Sequence, residues 1–228
     1  GQIGTETPEI NAAVIDLEGN NTVNITMYNE MFDATPQLNT TVILGDGNDT
    51  VAVDNYTEAD NANGHSTYDV DLGNGTNSLT VNDRTGNIDL NIVAGTGADN
   101  VALTYTLDGG NSWGTSVQGR IDLGAGDDTL TFALEDWATE YADVDLTIDL
   151  GSGNNVASIN GGYFDHYDVV GGSGDDLINI NLNALFSYGF HAPANGYSVV
   201  VDAGDGNNTV SVTLADIYLY TSLHGASV

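Results

Sequence analysis

One ten-residue pattern recurs along the whole chain and restricts it to a stacked architecture. Leu44-Gly45-Asp46-Gly47-Asn48-Asp49-Thr50-Val51-Ala52-Val53 ends one apolar run, turns on glycine and acid, and opens an alternating run. The pattern returns at Gly73/Gly75/Asn77, Gly95/Gly97/Asp99, Gly124/Gly126/Asp128, Gly151/Gly153/Asn155, Gly172/Gly174/Asp176 and Gly204/Gly206/Asn208. A degenerate copy over Asp16–Ile25 keeps only the second glycine, Gly19. The second glycines are spaced by 21 to 32 residues. A unit of that length cannot bury an apolar face alone, so neighbouring units must stack. The expected fold is all-β, a right-handed parallel β-solenoid of about 8 coils of 21–32 residues, with the glycine turns in a column along one edge.

The apolar residues around the turns fit this plan. Strands lead in through Tyr68/Val70/Leu72, Val144/Leu146/Ile148/Leu150 and Val199/Val201, and lead out through Val51/Val53, Leu79/Val81 and Ile178/Ile180/Leu182. Alternation with period two turns one face inward and the other to solvent. The pattern predicts one domain over 1–228: a first coil and connection in 1–40, regular coils in 41–213 and a terminal strand in 214–228. Variable returns join the coils and carry Trp113, Trp137, Phe186, Tyr188 and Phe190. Tyr28–Asn39 fits a loop or short helix, and Ala133–Ala142 fits a short helix.

Charge narrows the function. Thirty-three acids face two basic residues, Arg84 and Arg120, for a net charge of −31. Such a chain repels nucleic acid and anionic membranes and attracts cations. There is no cysteine, so disulfides contribute nothing. No apolar run reaches the length of a membrane span, and no membrane insertion is expected. The chain opens at Gly1 without a visible signal peptide, as a processed mature protein or an excised piece would. His65, His166, His191 and His224 lack zinc-ligand spacing. A lyase on anionic polysaccharide would need more basic residues than two. The expectation is a protein that is not an enzyme.

The turns themselves carry the chemistry. Alternate glycines let the backbone curl with positive φ. Asp or Asn two residues after the second glycine adds side-chain oxygen, and calcium takes six to eight oxygens from carboxylates and carbonyls together. Coils roughly 4.8 Å apart would place an ion within reach of two turns. The candidate metal residues are Asp46, Asn48, Asp49, Asn77, Asp99, Asp127, Asp128, Asn155, Asp175, Asp176, Asp205 and Asn208. Gly-Asp and Gly-Asn clusters are also ordinary turn chemistry, and one copy alone would mean little. Asn77, Asn155 and Asn208 offer a neutral oxygen, hence weaker sites or metal-free Asn ladders.

These turns resemble the repeat-in-toxin (RTX) calcium motif, Gly-Gly-x-Gly-x-Asp-x-apolar-x. Gly171-Gly172-Ser173-Gly174-Asp175-Asp176-Leu177-Ile178 matches it fully, while the Gly45 and Gly124 turns lack only the first glycine. The resemblance implies several calcium ions between successive turns, folding after export, and type I secretion from a Gram-negative bacterium. RTX repeats normally follow one another directly, whereas here one turn occurs per coil. The expected function is a secreted calcium-binding structural protein that self-assembles into a surface layer, filament or matrix. Its partner would be its own copies, through coil ends or terminal strands. The alternative is a calcium-stiffened adhesin or glycan-binding module of a larger protein, held to a cell-surface polysaccharide.

Overall fold

A computed structural model describes residues 9–15, 18–29, 37–57, 64–106, 115–135, 142–161, 166–183 and 198–215. Each glycine turn joins two strands. The first coil holds β1 (Glu9–Ile15) and β2 (Thr22–Asn29), the second β3 (Gln37–Ile43) and β4 (Thr50–Thr57). The third and fourth hold β5 (His65–Asp71), β6 (Ser78–Asp83), β7 (Asn87–Val93) and β8 (Asn100–Thr106). Next come β9 (Thr115–Asp122), β10 (Thr129–Glu135), β11 (Ala142–Asp149) and β12 (Val156–Gly161). The last two coils hold β13 (His166–Val170), β14 (Leu177–Asn183), β15 (Ser198–Asp202) and β16 (Thr209–Ala215).

The odd strands form one eight-stranded sheet and the even strands another, each in sequential order and wholly parallel. The expected parallel β-solenoid is therefore present, with no helix among the described residues. The eight strand–turn–strand arches make a solenoid of about six turns, slightly fewer than the eight coils expected. The ends of the two stretches read as loop or short helix are strand: Tyr28 belongs to β2, Gln37–Asn39 to β3, Ala133 to β10 and Ala142 to β11. β-Branched and apolar alternation continues through them and overrides the turn signals. Their middles, the aromatic returns from Trp113 to Phe190 and most of the terminal strand (216–228) lie outside the described residues.

The core is two sets of facing columns. Val42, Val70, Ile92, Ile121, Ile148 and Val169 stack in one sheet, against Val51, Leu79, Val101, Leu130, Ala157 and Ile178 in the other. All are 1% exposed or less. Burying each of the larger side chains stabilises the fold by about 1.5–3 kcal/mol before entropy. Tyr105, Phe132 and Tyr167 fill the wider part, in tilted and edge-on contacts with centroids 5.7 and 6.5 Å apart.

One polar cluster interrupts the core at the edge opposite the glycine turns. Asp83 is 1% exposed and accepts from Tyr68 Oη, from Thr85 N–H at 2.6 Å and from Asn55 Nδ2 at 3.2 Å. Burial first, and then the Asp83 charge, holds the Tyr68 phenol well above its usual range. The cluster closes the short return between β6 and β7.

The outward faces differ. Among the described residues the odd-strand sheet presents Asp69, Asp71, Asp89, Asp122, Asp145, Asp149 and Asp168, with Arg120 bound to Asp122 at 2.6 Å. Among the described residues the even-strand sheet presents mainly Thr, Ser, Asn and Ala, with Val156 and Leu177 exposed among them and Asp54 as the lone acid in its three central columns.

Candidate functional site at the turn column

The backbone of the turns stacks as tightly as the strands. Bridges run unbroken from Glu18 through Asp46, Asn74, Thr96, Ala125, Ser152 and Ser173 to Asp205. The candidate metal residues do not form one shell: the turn sorts them into three columns.

The inner column is buried. Asp49, Asn77, Asp99, Asp128, Asn155 and Asp176 are only 1–2% exposed, with Asn208 half-buried at the end. In each, Oδ1 accepts the backbone N–H of the equivalent residue in the preceding coil, at 2.7–2.9 Å from Asn21 to Asp176. The outer column holds Asn48, Asp127 and Asp175, exposed, and joined by Asn20, Asn154 and Asn207. Here Oδ1 accepts from the following coil, as in Asn48 to Thr76 N–H at 2.9 Å and Asp127 to Asn154 N–H at 2.8 Å. This ladder breaks at Thr76 and Ala98, which carry no amide or carboxylate oxygen. Asp46 and Asp205 sit exposed at the turn tip, and Asp46 Oδ1 accepts Asn74 Nδ2 at 2.8 Å.

A fourth set serves geometry. Asp71, Asp122, Asp149 and Asp202 each accept the N–H of the first turn glycine two residues on, at 3.0–3.2 Å. They fix the chain's approach to the turn, as Asx turns do.

The inner column has one unresolved demand. The Asn turns are satisfied: Nδ2 of Asn21 and Asn155 donates to the carbonyl of the glycine two residues before, Gly19 at 2.8 Å and Gly153 at 3.3 Å. In the Asp turns the second atom is an oxygen. Oδ2 of Asp49, Asp99, Asp128 and Asp176 is buried without a hydrogen-bond partner. A buried carboxylate oxygen of this kind calls for a proton or a cation. Burial raises the Asp99 carboxyl above its usual range. Burial first, then the charges of Asp99 and Asp127, lifts Asp128 to about 6 against the Asp99 N–H, which lowers it.

At Gly171 the turn is too crowded for any side chain. A Cβ there would meet Ala203 O at 2.5 Å and Asp176 Oδ2 at 3.0 Å, so carbonyl and carboxylate converge on the space that the missing side chain leaves. The equivalent place holds Leu44, Leu72, Ala94, Leu123, Leu150 and Ala203 elsewhere. The first glycine of the motif thus lets a carbonyl and a carboxylate oxygen approach the backbone closely. These oxygens fit a hard cation. Among the described residues no three acids or histidines converge, so such an ion would draw mainly on carbonyls.

The sign of the pH dependence follows. A carboxyl whose pKa is higher folded than unfolded adds stability that is full below the unfolded value, 3.8, and is lost as pH rises to the folded value. After removal of divalent cations, the contribution of Asp128 is expected to fall between about pH 4 and 6 and stay low above, and that of Asp99 to fall in the same direction as pH rises. Thermal melts across that range check it: Asp99→Asn/Asp128→Asn should show a shallower fall than wild type.

No family model matches the chain, and no curated protein or solved structure matches it.

Proposed function

We propose that the chain is a secreted, calcium-binding structural protein of RTX-like type, which self-assembles into an extracellular layer, filament or matrix. The observation that carries this reading is the column of buried Asp side chains with unpartnered Oδ2 atoms in turns that stack coil on coil. Asp49, Asp99, Asp128 and Asp176 would hold the ions, with turn carbonyls such as Ala203 O. Bound calcium supplies positive charge where the fold buries negative charge, and it offsets part of a net charge of −31. Extracellular calcium modules work at about 10⁻⁴–10⁻³ M, a range that suits sites built of few carboxylates. The rest of the molecule supports a structural role: a repetitive solenoid without a convergent set of reactive side chains among the described residues.

The test is light scattering. The chain is stripped with chelator and calcium is titrated back while mass is followed. Growth to large particles that reverses with chelator is expected. A chain that binds calcium but stays a monomer would end the assembly reading and favour an adhesin module.

A further inference from the structure

We infer that copies of this chain stack head to tail, the last coil of one seated on the first coil of the next in the register of the internal ladders. This deepens the assembly reading above and rests on it. The two side-chain ladders run with opposite polarity. Along the inner column each coil donates a backbone N–H to the coil after it, from Asn21 to Asp49 at 2.7 Å through to Asp176 and Asn208 at 2.7 Å. Along the outer column donation runs backward, from Asn48 to Asn20 at 2.8 Å through to Asn207 and Asp175 at 2.8 Å.

The two ends therefore differ. Among the described residues, the last coil leaves Asn208 N–H without an acceptor and Asn207 Oδ1 without a donor. The first coil leaves Asn21 Oδ1 without a donor and Asn20 N–H without an acceptor. Each end holds what the other lacks. All four residues are neutral amides, whereas the coils between carry Asp at four inner positions. A contact through these ends buries no carboxylate of either ladder. Among the described residues like charge meets at the exposed tip, where Asp205 would approach Glu18 of the next copy, and divalent cations would screen it.

Space and apolar surface agree. In the seven later turns the place of a Cβ on the second glycine is taken by a carbonyl of the coil before, at 2.0 Å or less. At Gly19 nothing lies within 4 Å, so the Gly206 carbonyl of another copy has room. The inward columns also lie open: Val210 and Leu214 are 42% and 40% exposed at one end, and Ile10 is 44% exposed at the other. Such a contact does not close on itself and yields a linear fibre.

The test blocks one end at a time, in calcium, by sedimentation. Ile25→Arg puts a charge on the partly covered core of the first coil, and Val212→Arg does so on the last. Each variant alone is expected to be a monomer, and an equal mixture to form a one-to-one dimer that grows no further. Circular dichroism checks the fold. Should an arginine variant not fold, the exposed Asn207→Ala is expected to weaken stacking about fivefold by removing one acceptor. Dimers of a single blocked variant, no dimer in the mixture, or unchanged stacking of Asn207→Ala would overturn head-to-tail stacking while leaving assembly intact. A wild-type chain that never assembles in calcium overturns both.

Discussion

Replacing Asp49, Asp99, Asp128 and Asp176 together by Asn is expected to stabilise the calcium-free protein and to abolish its response to calcium. Asn77 and Asn155 already occupy this column, and each keeps the Oδ1 bond of the ladder while its Nδ2 donates to the carbonyl of its own turn, at 3.5 and 3.3 Å; Asn21, at the open end, makes the same Nδ2 bond at 2.8 Å. The four Asp side chains keep the first bond and leave the second atom bare. An unsatisfied buried polar atom costs about 1–3 kcal/mol. Four such repairs should add on the order of 5 kcal/mol, or about 10 °C in melting temperature for a chain of this size. In calcium the ranking should reverse. Wild type gains about 2.7 kcal/mol per site at a hundredfold excess of ion over the dissociation constant, and the variant gains nothing. Thermal melts in chelator and in calcium give all four values. A variant less stable than wild type in chelator would mean that the bare oxygens are not a burden.

Gly153→Ala is expected to unfold the chain or leave it barely folded. Gly153 has φ +127°, and a Cβ would lie 1.8 Å from the Gly126 carbonyl. That obstacle is backbone, held by the stacked turn below, and cannot swing aside as a side chain would. The strained conformation and the overlap together cost on the order of 4 kcal/mol. Gly19→Ala is the control: φ is +94° but nothing lies within 4 Å, so it carries the conformational cost alone, about 1–2 kcal/mol. Urea denaturation of the pair separates the two effects. Equal losses would show that coil-on-coil contact at the turns is looser than the structure has it.

The repeat made the solenoid legible because every strand repeats one alternation, and a period of two leaves no choice of inward face. The same rule reached further than the apolar residues. Val51 and Val53 lead to Asn55, and Leu79 and Val81 lead to Asp83, so the buried polar cluster was written in the parity of the strands. It passed unnoticed because polar residues near a strand end look like the start of a loop. Inside the glycine turn parity fails, since positive φ breaks the alternation of side-chain directions. Neighbours such as Asp127 and Asp128 then look equivalent, although one is exposed and the other buried. Their separation into ladders depends on which coil's N–H each one meets. That relation spans 21 to 32 residues and is visible only once the coils are stacked. Asn20, Asn21, Asn154 and Asn207 were missed as ladder members for the same reason. The signal that would have found them is their column position across repeats, not their chemistry.

Calcium titration of the chelator-stripped chain near neutral pH, followed by isothermal calorimetry, tests the central claim most directly. Wild type and the four-fold Asp→Asn variant are compared side by side. Wild type should bind several ions, and the variant should remain folded and bind none at the turns. No binding by wild type, or equal binding by both, would contradict the assignment of calcium to the buried Asp column.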